Sequence, residues 1–442
     1  MITSSVFLII RSQYAVWDSF RTLSLQEEMG DKSVDSSGSD INLARGDIFY
    51  LRSDFQNAEN EYNSAVAYFS SIGDERKLAR ALVGLASVYT ALFRHSRAIE
   101  HAERAISLNS ANIVKAEAKL RIGTCYRRME QFSEAFDILH ESQSIAKLEK
   151  DQVLESEINI AIGDVFWKQG NLEEAEKYYR ITIQLALPIL KIDPNNPKAL
   201  FNVSQAKYAI GRGYLDREKY EDAEKLLSDS FRDLNSLGNF FGIEYCAQQL
   251  GRLYENLDNT RDAGNWYNES YVATFITKND LRRIETLFHI ANLAYLKKEF
   301  RRANEFAIKT VEDAKSNSNE EYFRQMARLL ALSGNIDIEQ SFTDKAIAYY
   351  KDAILYSVRA GPSSKEEIFS LISQKLLEIA KTRRDLSLHI IESLIIWWPE
   401  AKIDGEDAIK VETDLEPKLD KLTKKYGRVS LYLQDLLDHI IS

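Results

Sequence analysis

One spacing recurs along most of the chain and constrains its fold more than any other feature. From Gly46, small or aromatic residues stand at offsets 3, 12, 16 and 19, as Phe49, Ala58, Tyr62 and Ala65. The template returns from Ala86 as Tyr89, Ala98, Ala102 and Ala105, and from Gly123 as Tyr126, Ala135, Leu139 and Ser142. Further copies start at Gly163, Gly211, Gly251 and Ala291, and a weaker eighth reads Gly334, Asp337, Ala346, Tyr350, Ala353. Offsets 0 and 3 put a small residue and an aromatic on one face of a first helix. Offsets 12, 16 and 19 are separated by four and three, so they form one stripe on a second helix. The small residues let two backbones approach, and the aromatic fills the space beside them. A large apolar residue often sits at offset 9, as Phe55, Phe132, Leu172, Tyr220 and Phe300 do, and closes the end of the pair.

Such periodicity overrides the usual inference of about three globular domains from 442 residues. Only six prolines occur, none before Pro188, which favours uninterrupted helix. The content of 45% hydrophobic and 28% charged residues is that of an ordered, soluble chain. The expectation is an all-α fold of stacked antiparallel helix pairs, with at least sixteen repeat helices. Asn171, followed three residues later by Glu174, has the form of a helix N-cap.

This pattern resembles the tetratricopeptide repeat, with its small residue, its aromatic three later, and its Ala, aromatic, Ala stripe. The turn Asp193-Pro194-Asn195-Asn196-Pro197 is similar to the one that often ends such a repeat. The resemblance spans roughly residues 41–355. It implies a right-handed superhelical solenoid that binds other proteins. The anchor intervals of 40, 37, 40, 48, 40, 40 and 43 exceed the standard 34. Longer repeats of this kind are similar to those of bacterial regulatory proteins, Rap-type peptide sensors among them. In the eighth copy Asp337 replaces the aromatic, which puts the packing of that last pair in doubt.

Four segments follow: an N-terminal helix at 1–28, a polar flexible linker at 29–40, a solenoid of about eight helical hairpins at 41–361, and a C-terminal helical region at 362–442. Gly361-Pro362 marks the last boundary. The C-terminal region carries Trp397 and Trp398, then an apolar stripe including Leu433, Leu436, Leu437 and Ile440. It reads either as a cap on the stack or as a docking and self-association surface. The apolar run Val6 to Ile10 is too short to span a membrane and makes a poor secretory signal.

A net charge of −10 argues against a nucleic-acid partner. Cys125 and Cys246 form no disulfide framework and lack metal-ligand spacing, so a cytoplasmic location is expected. The six histidines include no metal-binding pair, and no phosphate loop, nucleophile elbow or paired catalytic carboxylates occur. No cofactor and no catalysis are expected.

Stacked hairpins direct their first helices to the concave side. Positions three before each anchor, and one, four and five after it, should face that groove. In the middle repeats these give Arg127, Arg128, Trp167, Lys168, Tyr208, Arg212, Gln248 and Arg252. Arginine suits carboxylates through paired hydrogen bonds, and Trp or Tyr can stack on a peptide plane. Asp164, Asp216 and Glu255 lie nearby and offset part of the charge. The strip is either a solvated face with local ion pairs or a site for an acidic peptide or protein surface. Three roles stay open: an adaptor or regulatory subunit, a Rap-like peptide-responsive sensor, and the sensing arm of a larger enzyme assembly.

Overall fold

The computed structural model describes residues 38–314 and 320–361, with positions 364, 367, 368, 371, 372 and 375. The expected N-terminal helix at 1–28, and Trp397, Trp398, Leu433, Leu436, Leu437 and Ile440, lie outside the described residues. The described residues fall into two compact units, divided so that those up to 50 and from 54 to 145 form one, and those at 51–53 and from 146 onwards form the other. Among the described residues sixteen helices occur and no strand.

The first unit holds α1 (Gly38–Leu51) with α2 (Phe55–Ile72), and α3 (Glu75–Ala91) with α4 (His95–Ser107). It also holds α5 (Asn112–Arg128) and most of α6 (Phe132–Leu148). The second unit continues with α7 (Gln152–Lys168), α8 (Leu172–Ile192), α9 (Pro197–Asp216) and α10 (Tyr220–Leu237). After them come α11 (Phe240–Asn256), α12 (Thr260–Thr277), α13 (Asp280–Leu296), α14 (Phe300–Ala314), α15 (Glu320–Glu339) and α16 (Thr343–Arg359). Helix α1 begins at Gly38, inside the stretch that the sequence reads as linker.

Every anchor falls in an odd-numbered helix, and its offset-16 partner falls in the helix that follows. The pair is in contact. A Cβ placed on Gly123 would come within 2.6 Å of Leu139, on Gly163 within 2.7 Å of Tyr179, and on Gly251 within 2.6 Å of Tyr267. Glycine is therefore needed for close approach at these positions. Tyr62 lies against both Gly46 of its own hairpin and Gly84 of the next. The eighth hairpin packs in the same way, contrary to the doubt raised by Asp337. Gly334 faces a buried Tyr350, and Asp337 is itself only 3% exposed.

Hydroxyls at offset 19 pin four hairpins internally. Ser142, Thr182, Ser230 and Ser270 donate to the carbonyls of Ala116, Ser156, Ser204 and Glu244, at 2.7, 3.0, 2.8 and 3.0 Å. Between successive hairpins, the tyrosine at offset 3 donates to a glutamate at offset 13 of the preceding copy. Tyr89 reaches Glu59 at 2.8 Å, Tyr214 reaches Glu176 at 3.1 Å, and Tyr254 reaches Glu224 at 2.6 Å.

The turn inside each hairpin is the same in all eight copies. The residue at offset 7 is left-handed: Ser53, Phe93, Glu130, Gly170, Glu218, Asp258, Lys298 and Ser341, with φ between 55° and 80°. The next backbone N–H donates to the carbonyl at offset 3, at 2.8–2.9 Å, in the manner of a Schellman cap. Several turns between hairpins are also uniform. Gly73, Lys150, Gly238 and Lys278 are left-handed, and the Asp or Asn after each caps the next helix. The intervals of 37 and 48 arise where this turn is absent. Helix α4 stops after 13 residues, and α8 runs for 21 before Asn196 caps α9 and Pro197 opens it.

Candidate functional site

Within the second unit, aromatic rings and guanidinium groups interleave on the first helices of successive hairpins. Trp167 stands near the end of α7, four residues after its anchor. Arg212 of α9 lays its guanidinium 4.0 Å from the Trp167 ring and 5.7 Å from that of Tyr208. Gly213 makes room for the indole, since a Cβ there would come within 3.1 Å of Trp167. Such cation–π stacking is worth about 0.5–2 kcal/mol, more as water is excluded. Trp167, Tyr208 and Arg212 are each half-buried.

Tyr208 meets the edge of Tyr245 on α11, with ring centroids 6.2 Å apart at 87°. Arg282 of α13 then covers Tyr245 at 4.1 Å. Arg282 also donates to the Gln248 side-chain oxygen and, at 2.8 Å, to Glu285. Its Nε lies 3.7 Å from Glu244, which is 0% exposed. Glu244 accepts hydrogen bonds from Thr277 at 2.7 Å and Asn279 at 2.6 Å. Burial nonetheless pushes its carboxyl up to about 7, against the opposing effect of these bonds and of Arg282. Burial likewise pushes the Tyr208 phenol up to about 12, against the charges of Arg212 and Arg282.

The structure thus joins Trp167, Tyr208 and Arg212 directly, and brings Gln248 in through Arg282. Gln248 does not face open solvent as its position suggests, because it is 0% exposed beneath its neighbours. Arg252 is engaged locally, donating to Gln249 at 2.8 Å with Asp216 at 3.7 Å. Lys168 is exposed. In the first unit, Arg128 stacks 4.4 Å from Phe93 and donates to the Thr90 carbonyl, and Arg127 is half-buried. Of the three nearby acids, Asp216 pairs with Arg252, while the other two serve hairpin packing. Asp164 accepts from Tyr179 at 2.8 Å, and Glu255 accepts from Tyr267 at 2.5 Å and Asn292 at 3.2 Å.

Tyr245 and Arg282 escape the sequence reading because they lie six and nine residues before their anchors. Continuing the groove-facing stripe back by one and two helical turns would have reached both. No group of three or more His, Cys, Asp or Glu among the described residues could hold a metal ion. No helix among them is long and apolar enough to cross a membrane.

The tetratricopeptide repeat family model matches residues 39–111 and 115–186. No curated protein sequence matches the chain. Among solved structures, the apo form of RapI is 11% identical over 90% of this chain and 98% of its own, with a TM-score of 0.50. The human IFIT1 dimer with PPP-AAAA is 12% identical over 89% of this chain and 81% of its own, also at 0.50. The apo quorum sensor NprR from B. thuringiensis is 14% identical over 84% of this chain and 99% of its own, at 0.48. At these identities the likeness is one of fold. The family match lies on the first hairpins, and the same anchor pairs and left-handed turns continue through the later ones: the chain carries tetratricopeptide repeats at residues 39–111 and 115–186 within a longer series of like, lengthened hairpins.

Proposed function

We propose that this chain is a non-catalytic interaction module that binds a protein or peptide segment along the first helices of its second unit. One observation carries the reading. Trp167, Tyr208 and Tyr245 remain half-buried, stacked with guanidinium groups, on three successive first helices. Aromatic and arginine side chains of this kind supply most of the energy at protein interfaces. The partner segment is acidic, to match the arginines, and the expected compartment is the cytoplasm.

A photo-crosslinking amino acid at exposed Lys168, beside Trp167, should trap a polypeptide that the same group at Leu187 on α8 does not. Equal trapping at both positions would remove the first helices as the site. The adaptor and sensor roles share this surface and differ in response. Small-angle scattering with the trapped segment added should show no change in compactness for an adaptor, whereas contraction would favour a sensor.

A further inference from the structure

A buried carboxylate occupies a place that is small or apolar elsewhere in the series. Seven residues before the anchor, six other copies carry Ala79, Ala116, Ser156, Ser204, Ile284 and Ala327, all buried. The sixth copy has Glu244 there, 0% exposed. Its side chain spans the joint between the sixth and seventh hairpins. Oε2 accepts from the Thr277 hydroxyl at 2.7 Å, at the end of α12, and Oε1 accepts from the Asn279 amide at 2.6 Å. Asn279 caps α13, its own side-chain oxygen accepting from the backbone N–H of Arg282 at 3.2 Å. The Arg282 Nε stands 3.7 Å from Glu244 Oε1, beyond hydrogen-bond range. Its Nη1 instead bonds Glu285 at 2.8 Å, and its guanidinium covers Tyr245 at 4.1 Å.

The charge count at this joint is uneven. One guanidinium stands between two carboxylates, and Glu285 already matches it with a side chain 27% exposed. Ionising Glu244 as well leaves a surplus negative charge out of reach of water. The neighbouring charges are engaged elsewhere: Arg283 meets Asp280, Lys207 of α9 holds Asp233 of α10, and Lys278 is exposed. The hydrogen bonds, by contrast, accommodate a proton. Thr277 Oγ1 also lies 3.4 Å from the Thr274 carbonyl, so its hydroxyl can turn there and accept from a protonated Oε2 while Asn279 keeps its bond to Oε1.

We propose that Glu244 is a proton-operated latch on this joint: with the proton on, Arg282 stays stacked on Tyr245, and loss of the proton to solvent draws Arg282 inward and uncovers that ring. The ionised carboxylate competes with Gln248 and Glu285 for the guanidinium, and a charge-assisted bond at Nε is stronger than the bond to the neutral Gln248 amide. Tyr245 keeps its ring contacts with Tyr208 and Phe241 in either state. Burial pushes the Glu244 carboxyl up to about 7, with Glu285 acting in the same direction and Thr277, Arg282 and Asn279 opposing. The latch therefore holds below pH 7 and releases above it. It concerns the chain alone, so it stands or falls apart from the reading of the first helices as a binding surface.

The test uses the full chain carrying glutamate labelled with carbon-13 at the side-chain carboxyl. One carboxyl resonance should titrate near 7, apart from the ordinary 4.5, and be missing in Glu244→Gln. In parallel, hydroxyl-radical footprinting reads the accessibility of Tyr245 against Tyr68, an exposed tyrosine of the first unit. A group titrating near 7 passes from about one-tenth to about nine-tenths ionised between pH 6 and 8, so labelling of Tyr245 in wild type should rise at least about twofold. Glu244→Gln, which mimics the protonated form, should hold the low value at both pH values, and Arg282→Gln should show the high value at both. Circular dichroism checks that the variants are folded, and the wild-type titration and footprint decide the proposal even where a variant is not. A Glu244 resonance titrating near 4.5, Tyr245 labelling that stays flat in wild type, or an equal rise in Glu244→Gln would overturn the latch.

Discussion

Where an anchor is glycine, the residue sixteen later is Tyr or Leu, and where it is alanine, at Ala86 and Ala291, the partner is Ala102 or Ala307. The two positions share one fixed volume, so a methyl group on one side requires a small side chain on the other. Gly163→Ala should therefore cost about 1–3 kcal/mol by overpacking against Tyr179. The same change should cost much less once Tyr179→Ala is in place, with only the Ala175 carbonyl at 3.2 Å left to crowd the methyl, so urea denaturation of the two singles and the double should show strong non-additivity. Glu244 gives a second test at this scale. Its folded-state value near 7 lies above the ordinary 4.5, so the folded form retains a proton that the unfolded form has lost. That contribution is complete below pH 4.5 and is lost as pH rises through 7, so stability should fall across this window. Urea midpoints measured from pH 5 to 8 should show the decline in wild type and lose it in Glu244→Gln.

At the scale of elements, the shared turn at offset 7 sets the entry of every second helix, yet only Gly170 there is glycine. A left-handed residue with a side chain is strained by roughly 1–2 kcal/mol, partly offset by the extra unfolded-state freedom of glycine. Glu130→Gly should raise stability by about 0.5–1 kcal/mol, and Gly170→Ala should lower it by a similar amount, as read in thermal melts. The sequence reading places the hairpins well, because the anchor spacing is a backbone periodicity. It does not foresee this turn, since Ser, Phe, Glu, Asp and Lys give no left-handed signal. The site is legible only in part for a different reason. Trp167, Tyr208 and Arg212 follow from the stripe on one helix, but the burial of Gln248 depends on Arg282, a side chain from the next hairpin. Which arginine meets a carboxylate likewise depends on neighbours outside its own helix, as Glu367 is for Arg328.

For the molecule as a whole, contact between neighbouring hairpins makes local damage travel. Tyr267 is fully buried against Gly251, and its loss should cost about 3–5 kcal/mol. In Tyr267→Ala, hydrogen exchange should show lost protection in α11 and α12, fading through α9, α10, α13 and α14. Loss confined to α12 would mean that the hairpins fold independently. The bonds from Tyr89 to Glu59, Tyr214 to Glu176 and Tyr254 to Glu224 add a different consequence. The small-to-large fit at offsets 0 and 16 is complete within one hairpin and would survive transplantation. The tyrosine–glutamate bond belongs to a junction, and one half of it lies on each side. At a neighbouring junction the corresponding residues are Ile99 with Tyr126. Recombination between repeats is therefore not free: a duplicated or exchanged hairpin keeps its interior but must find a matching neighbour, and the order of the repeats is inherited along with the repeats themselves.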